Sequence, residues 1–160
     1  MNKTGRVLVA LLRISLGWVF LWAFLDKLFG LGRATAPEAA WLAGGSPTAG
    51  FLGFAARGPL VGLYQSLAGN VVVDVLFMAG LLGLGLALML GIGLRIAGIA
   101  GPLLMVLMWL AQLPPATNPF MDNHIIYALV LALLPKLQAG HTWGLGAWWA
   151  GKTRAWPVLQ

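Results

Sequence analysis

The sequence contains no cysteine. This absence excludes disulfide bonds, thiol redox relays, cysteine-ligated iron–sulfur clusters and cysteine-based zinc sites within the chain. Electron transfer in this protein would therefore require a bound cofactor or a partner protein.

Histidine is almost as scarce, and the two that occur, His124 and His141, lie at opposite ends of the last apolar run of the chain. In a continuous helix they would lie about 25 Å apart, which is too far for both to ligate one haem. No other group of residues has the spacing of a metal site. We therefore expect no haem, no iron–sulfur cluster and no metal centre within the chain.

Charged residues make up only 9% of the 160 residues, whereas soluble domains contain roughly 25%, and 60% of the chain is hydrophobic. Such a chain has too little polar surface for a water-soluble globule, so we expect a lipid bilayer as its solvent. The ten Lys and Arg residues are scattered singly between apolar runs. This pattern does not form the clustered basic face that nucleic-acid binding requires.

Four apolar runs approach the ~20 residues that a helix needs to cross a bilayer. They cover about 7–29, 71–90, 96–113 and 122–137, and the last is the shortest. The sequence therefore predicts an all-α fold, a four-transmembrane-helix bundle that forms a single membrane domain over residues 1–160.

Two segments outside these runs are also rich in aromatic residues. In residues 34–69, aromatic and aliphatic side chains are spread among Gly, Pro and Ala, so we expect short interfacial helices that cap one mouth of the bundle. Residues 141–157 combine four tryptophans with Lys152 and Arg154, which is typical of an interfacial segment.

The positive charges predict the orientation. With the N-terminus inside, seven Lys and Arg residues fall on the inner side and only Lys27, Arg33 and Arg57 fall outside. We therefore predict a multi-pass protein of the plasma (inner) membrane with both termini in the cytoplasm.

In this orientation all four acidic residues, Asp26, Glu38, Asp74 and Asp122, lie on the outer side. The three aspartates each lie roughly 11–12 Å outward of the centre of their span. Ionisable groups near hydrocarbon are functional candidates. If spans 1, 2 and 4 are neighbours, these carboxylates meet in one outer pocket.

Each aspartate also has a structural interpretation. Asp26 lies at the C-terminal end of its helix, where the dipole disfavours an anion, so we expect a partner such as Arg33, Arg57 or His124. Asp74 and Asp122 lie near helix N-termini, where a carboxylate can cap the helix.

His124 and Tyr127 are three residues apart and share a helix face. Quinone reduction needs groups that hydrogen-bond carbonyl oxygens and supply protons, and histidine titrates in the useful range. The catalytic candidates are therefore His124, Asp26, Asp74 and Asp122.

Further candidates would bind the two reactants. Tyr127, Trp22 and Arg13 are candidates for quinone binding, although Trp22 can instead be packing and Arg13 can extend to the headgroups. Lys27, Arg33 and Arg57 are candidates for attracting a small anionic substrate.

The chain also resembles the DoxX/DoxD family of small membrane proteins. The opening similarity consists of Arg13, Gly17 and the run from Lys27 to Gly30. The closing similarity, closer to the DoxD branch, consists of residues 118–120, Asp122, His124, Tyr127, Gly140, residues 142–146 and Trp148.

The resemblance implies a four-helix bundle in the plasma membrane and a link to respiratory or sulfur redox chemistry. DoxD proteins are described as subunits of thiosulfate:quinone oxidoreductase, which oxidises thiosulfate to tetrathionate and reduces a quinone. The implied partners are a second membrane or extracytoplasmic subunit, and a homo-oligomer is also considered.

The main hypothesis is a membrane subunit of a quinone-linked oxidoreductase. The alternative is a non-catalytic anchor or assembly subunit, in which the face of span 2 that carries Gly80, Gly83 and Gly85 docks another membrane protein. A transporter is the weakest hypothesis, because the sequence places Arg13 in the inner half of the bundle but no chain of polar groups that would form a path across the membrane.

Overall fold

The computed structural model describes residues 1–116 and 118–159, and in this part of the chain it contains helices and no β-strand. The all-α prediction is therefore confirmed. The α-helices are α1 (Lys3–Phe29), α2 (Val61–Leu67), α3 (Val71–Leu90), α4 (Leu94–Ala111), α5 (Asn123–Leu133) and α6 (Gly146–Lys152).

Three helices, α1, α3 and α4, are long and apolar enough to cross a membrane, and α5 is a shorter apolar helix. The protein is thus a multi-pass membrane protein, but the fourth predicted span, over 122–137, is only partly a regular helix. Pro135 follows the end of α5. A proline lacks the N–H that would continue the hydrogen-bond ladder, so the regular helix stops at Leu133.

Local capping sets the helix boundaries. The Asn70 side chain accepts hydrogen bonds from the N–H groups of Val72 (2.9 Å) and Val73 (3.3 Å), and Gly91 ends α3 in the left-handed conformation with φ of 72°. The α3 helix therefore begins and ends at the residues predicted for this span, 71 and 90. The third span begins at Leu94 and ends at Ala111, two residues earlier at each end than predicted, because Gly93 caps α4.

The segment between α1 and α3 contains the predicted short helices. Besides α2 they are 3₁₀ turns at Pro37–Ala39 and Trp41–Ala43 and a π-helical turn at Phe51–Ala55. The π-helical turn and α2 share a small apolar core with the end of α4, through Leu52, Tyr64 and Ala111. This packing attaches the predicted cap loop to the bundle.

The main helix contacts run in sequence, α1 with α3, α3 with α4, and α4 with α5. The shared core draws on all four helices, including Phe20, Met78, Met105 and Leu131. We call the end that contains Asp26, Asp74 and Asp122 the carboxylate end, and the opposite end, where Arg13 contacts the end of α3, the arginine end.

Glycines permit the close contact of α1 with α3. A Cβ atom at Gly85 would lie 2.9 Å from the backbone of Leu21, and one at Gly17 would lie 2.9 Å from the backbone nitrogen of Met89. A Cβ at Gly83 would meet nothing within 4 Å. The predicted single glycine face of α3 is therefore wrong, because Gly85 packs on α1 whereas Gly83 faces open space.

This difference predicts opposite effects of two alanine substitutions. Gly85→Ala should destabilise the protein by about 1–3 kcal/mol, because the added methyl group overpacks the α1 backbone. The matched variant Gly83→Ala should be neutral or stabilise it by up to about 1 kcal/mol through higher helix propensity. Unfolding in detergent micelles measures both, and equal effects of the two substitutions would contradict the packing described here.

Candidate functional site

Asp26 is buried at the end of α1, and its carboxylate binds backbone N–H groups rather than a cation. One oxygen accepts a hydrogen bond from the N–H of Arg33 (3.2 Å), and the other accepts from the N–H of Ala34 (2.9 Å). The predicted side-chain partner, Arg33, Arg57 or His124, is therefore wrong. Gly30, with φ of 64°, turns the chain back so that these amides reach the carboxylate.

Asp74 is buried in the first turn of α3 and fixes the loop that follows α1. A single oxygen, Oδ1, accepts from the hydroxyl of Ser46 (2.9 Å) and from the N–H (3.2 Å) and hydroxyl of Thr48. Asn70, not Asp74, caps this helix. The Asp74 carboxylate thus satisfies donors of the cap loop.

Asp122 caps α5 and also binds the ring of His124. Its Oδ1 accepts from the N–H groups of His124 (2.9 Å) and Ile125 (3.4 Å), which confirms the capping interpretation. Its Oδ2 lies 2.7 Å from Nδ1 of the His124 ring.

In the described structure, only one of the two ring nitrogens of His124 forms a hydrogen bond. Its side chain is 13% exposed, and its Nε2 forms no hydrogen bond within residues 1–116 and 118–159. Because an ionised carboxylate can only accept, it favours the tautomer with hydrogen on Nδ1, which leaves Nε2 as an acceptor. Tyr127 lies one turn further along α5, half-buried at the edge of the core.

The three aspartates do not form the single pocket that the sequence predicted. Asp26 binds the turn after α1, Asp74 binds the cap loop and Asp122 binds its own helix. In the described part of the chain, no three acidic or histidine side chains converge. The physical reason is that each carboxylate finds enough local donors, so none needs a neighbour from another span.

The predicted substrate residues lie at separate places around the carboxylate end. Lys27 is half-buried in the last turn of α1, whereas Arg33 and Arg57 are exposed. The backbone N–H of Arg57 donates to the carbonyl of Ala111 at the end of α4 (2.8 Å), so this arginine belongs to the α4 side. Trp22 packs against Trp18, with ring centroids 5.8 Å apart.

Arg13 is fully buried at the arginine end, and backbone carbonyls surround its guanidinium. Nη1 donates to the carbonyls of Leu88 and Met89 (3.1 Å for Met89), in the last turn of α3. Nη2 donates to the carbonyls of Thr142 (3.4 Å) and Trp143 (2.8 Å), in the segment after α5. Arg13 therefore fixes the C-terminal segment on the end of α3 and does not extend to lipid headgroups.

Glycines leave the space that this arrangement needs. A Cβ at Gly91 would lie 2.9 Å from Nη1 of Arg13, and one at Gly144 would lie 3.1 Å from Nη2. Gly140 packs against the backbone of Gly91 too closely for any side chain. The glycines of residues 140–146, which carried part of the family resemblance, therefore have a structural role in this chain.

A large apolar groove of about 890 Å³ runs along α3 and α4 from the cap loop to the C-terminal segment. Among the described residues, three polar side chains line it, and each of them already donates a hydrogen bond. The Thr48 hydroxyl donates to a carboxylate, and the Tyr64 hydroxyl and the Trp149 indole donate to backbone carbonyls. Burial raises the pKa of the Tyr64 hydroxyl above its ordinary value. The groove thus suits an apolar occupant.

Sequence reasoning named Arg13, Asp26 and Asp74 but missed their partners. Those partners are mostly backbone atoms, together with Ser46 and Thr48 in a loop of low polarity. Residue identity does not show which backbone groups a side chain will bind. The one available signal was the pair of hydroxyl residues on either side of Pro47.

In comparisons with protein-family models, with curated proteins and with solved structures, no significant match to this chain was found.

The two buried aspartates predict different responses to asparagine. Asp26→Asn should destabilise the protein by about 1–3 kcal/mol, because both oxygens accept N–H groups and an amide leaves one of them unsatisfied. Asp74→Asn should cost less than about 1 kcal/mol, because its single accepting oxygen is retained. Thermal unfolding in detergent tests this order, and an equal or reversed loss would contradict it.

Arg13→Met should detach the C-terminal segment and destabilise the protein by about 3 kcal/mol or more, because several buried carbonyls lose their donor. The amide of Leu145, which donates to the carbonyl of Leu90 (2.8 Å), reports on this attachment. Hydrogen exchange at Leu145 should accelerate in Arg13→Met and not in Arg95→Met, an exposed arginine at the same end. Unchanged protection in the Arg13 variant would show that other contacts hold the segment.

Proposed function

We propose that this protein is the membrane subunit of a quinone-linked oxidoreductase, in which His124, oriented by Asp122, exchanges protons with the quinone. In the reaction that the DoxD resemblance suggests, two thiosulfate ions join through a new S–S bond to give tetrathionate and release two electrons. The quinone takes these electrons with two protons and becomes a quinol. Because the chain has no cysteine, electron transfer from thiosulfate would require a bound cofactor or a partner subunit.

The Asp122–His124 pair is the observation that supports this proposal. A carboxylate 2.7 Å from Nδ1 fixes the ring and its tautomer, while Nε2 remains free to exchange a proton. The same logic of a base held by an orienting carboxylate recurs in many enzymes. Tyr127, one turn along α5, offers a second donor on the same helix face.

Hydrogen bonds of three predicted site residues argue against a role for them in proton transfer. Asp26 and Asp74 are occupied by loop donors, so we assign them to stability and not to chemistry. Arg13 is surrounded by carbonyls at the other end of the bundle, so we remove it from the quinone site. Trp22 remains a candidate for packing against a ring, and Lys27, Arg33 and Arg57 remain candidates for attracting the anion.

A second candidate function is a non-catalytic anchor for a redox complex. The groove along α3 and α4 favours it, because the groove is apolar and its polar side chains have no free donor. Gly83 opens onto this groove, which would let another helix approach closely.

Asp122→Asn separates the two functions. Asparagine is as good a helix cap as aspartate, so α5 should persist. However, the amide would present hydrogens to Nδ1 and reverse the tautomer of His124, so Nε2 could no longer accept a proton. We expect quinone reduction to fall about 10²-fold or more, the usual contribution of a general acid–base group.

The assay uses the full chain, purified from its native membrane with its co-purifying subunits. Thiosulfate-dependent reduction of a soluble quinone is followed in the parent and in Asp122→Asn, His124→Gln and the control His141→Gln. Loss in the first two variants with retention in the control supports the enzyme hypothesis. Parent-like turnover in all three variants, or an absence of bound quinone, would contradict the enzyme hypothesis and favour the non-catalytic anchor.

A further inference from the structure

A second cavity, of about 540 Å³, lies at the arginine end, between the first turns of α1 and the connection from α5 to α6. Lys3 and Arg6 line it from α1, and Gln138, His141 and Trp143 line it from the connection. None of the described residues that line this cavity is acidic. This lining is therefore basic or neutral.

No acidic side chain of the described residues forms an ion pair with Lys3 or Arg6. The Asp122–His124 contact lies at the opposite end of the bundle. The first turn of α1 contains no acidic residue, and Lys3 and Arg6 are one turn apart on the same helix face. Both side chains are exposed and can close on an anion between them.

The opposite wall is built from an unusual backbone. Within residues 1–116 and 118–159, only Gln138 (φ 50°) and Trp143 (φ 53°) are non-glycine residues with positive φ, and both line this cavity. Such conformations cost free energy and concentrate at binding sites. Arg13 holds the wall in place, because it donates to the carbonyls of Thr142 and Trp143.

The cavity lies at the depth of lipid headgroups. With 27 residues, α1 is roughly 40 Å long, which exceeds the ~30 Å hydrocarbon thickness of a bilayer. Its first turns, with Lys3 and Arg6, therefore reach the interface. Val7, Val9 and Leu137 form an apolar part of the lining, and the exposed Trp143 is of the type found at membrane interfaces.

We propose that this basic cavity binds the phosphate group of an anionic phospholipid from the adjacent leaflet. Lys3 and Arg6 pair with the phosphate, the His141 and Gln138 side chains complete the polar wall, and an acyl chain follows the apolar lining. A soluble phosphate shares the recognised group but not the acyl chain. Cations near membrane surfaces also arise from orientation alone, so the test must separate a site from general attraction.

The test measures thermal unfolding of the delipidated full chain in a neutral detergent. Phosphatidylglycerol, phosphatidylcholine or inorganic phosphate is added at matched concentrations. We expect phosphatidylglycerol to raise the apparent Tm by several degrees and phosphatidylcholine to have little effect, because a ligand stabilises the state that binds it. Native mass spectrometry counts the lipid molecules that remain bound.

The double variant Lys3→Gln/Arg6→Gln should lose this Tm shift and the bound lipid. The control Arg95→Gln/Lys152→Gln removes the same charge from exposed residues at the same end but outside the cavity, and should keep both. Because all four side chains are exposed, the unliganded variants should unfold at the parent temperature.

Three results would overturn the proposal. The first is the absence of any selective shift with phosphatidylglycerol, and the second is an equal loss in both double variants, which indicates nonspecific attraction. The third is an equal shift with inorganic phosphate alone, which would identify a soluble phosphate as the ligand of the same cations and reject the lipid.

Discussion

The bundle depends on one buried cation, the guanidinium of Arg13, and on the carbonyl groups that surround it. The last turn of a helix presents unpaired carbonyls and a partial negative charge, and Arg13 meets that charge at the end of α3. A buried charge costs several kcal/mol, so the site is stable only with several acceptors. Two acceptors come from the C-terminal segment, and folding of α1 on α3 is thereby coupled to docking of that segment.

At the carboxylate end the buried charges are negative, and uncharged hydrogen-bonding groups stabilise them as the carbonyl groups stabilise Arg13. Asp26 lies where the helix dipole disfavours an anion, and two backbone amides of the following turn compensate. Asp74 is compensated by Ser46 and Thr48. Charges at both ends are therefore stabilised mainly by uncharged groups of loops, and the loops are in turn fixed by the charges. Within the described residues, Nε2 of His124 and the buried Nε of Arg13 form no hydrogen bond.

The sequence predicted the helices well because hydrophobic runs and caps are local properties. Asn70 and Gly91 bound α3 at the predicted residues, and Asp122 caps α5. The shared pocket was wrong because it assumed that carboxylates at one depth must find each other. Residue identity does not show where backbone N–H groups point, and the turn at Gly30 supplies them to Asp26 alone. The catalytic assignment of His124 stays a prediction, now with a defined ring orientation.

The positions of the two cavities bear on how a redox complex would be completed. His124 lines neither the apolar groove nor the basic cavity, so neither of these two cavities leads a quinone to its Nε2. The helix that carries His124 has 11 residues and is roughly 16 Å long, about half the hydrocarbon thickness. A partner that packs beside α5 would fill the part of the membrane that this short helix does not span. The same partner would shield Nε2 of His124 from the surrounding lipid. If the proposed proton exchange takes place in a complex with such a partner, this chain would contribute an imidazole whose ring is oriented by Asp122.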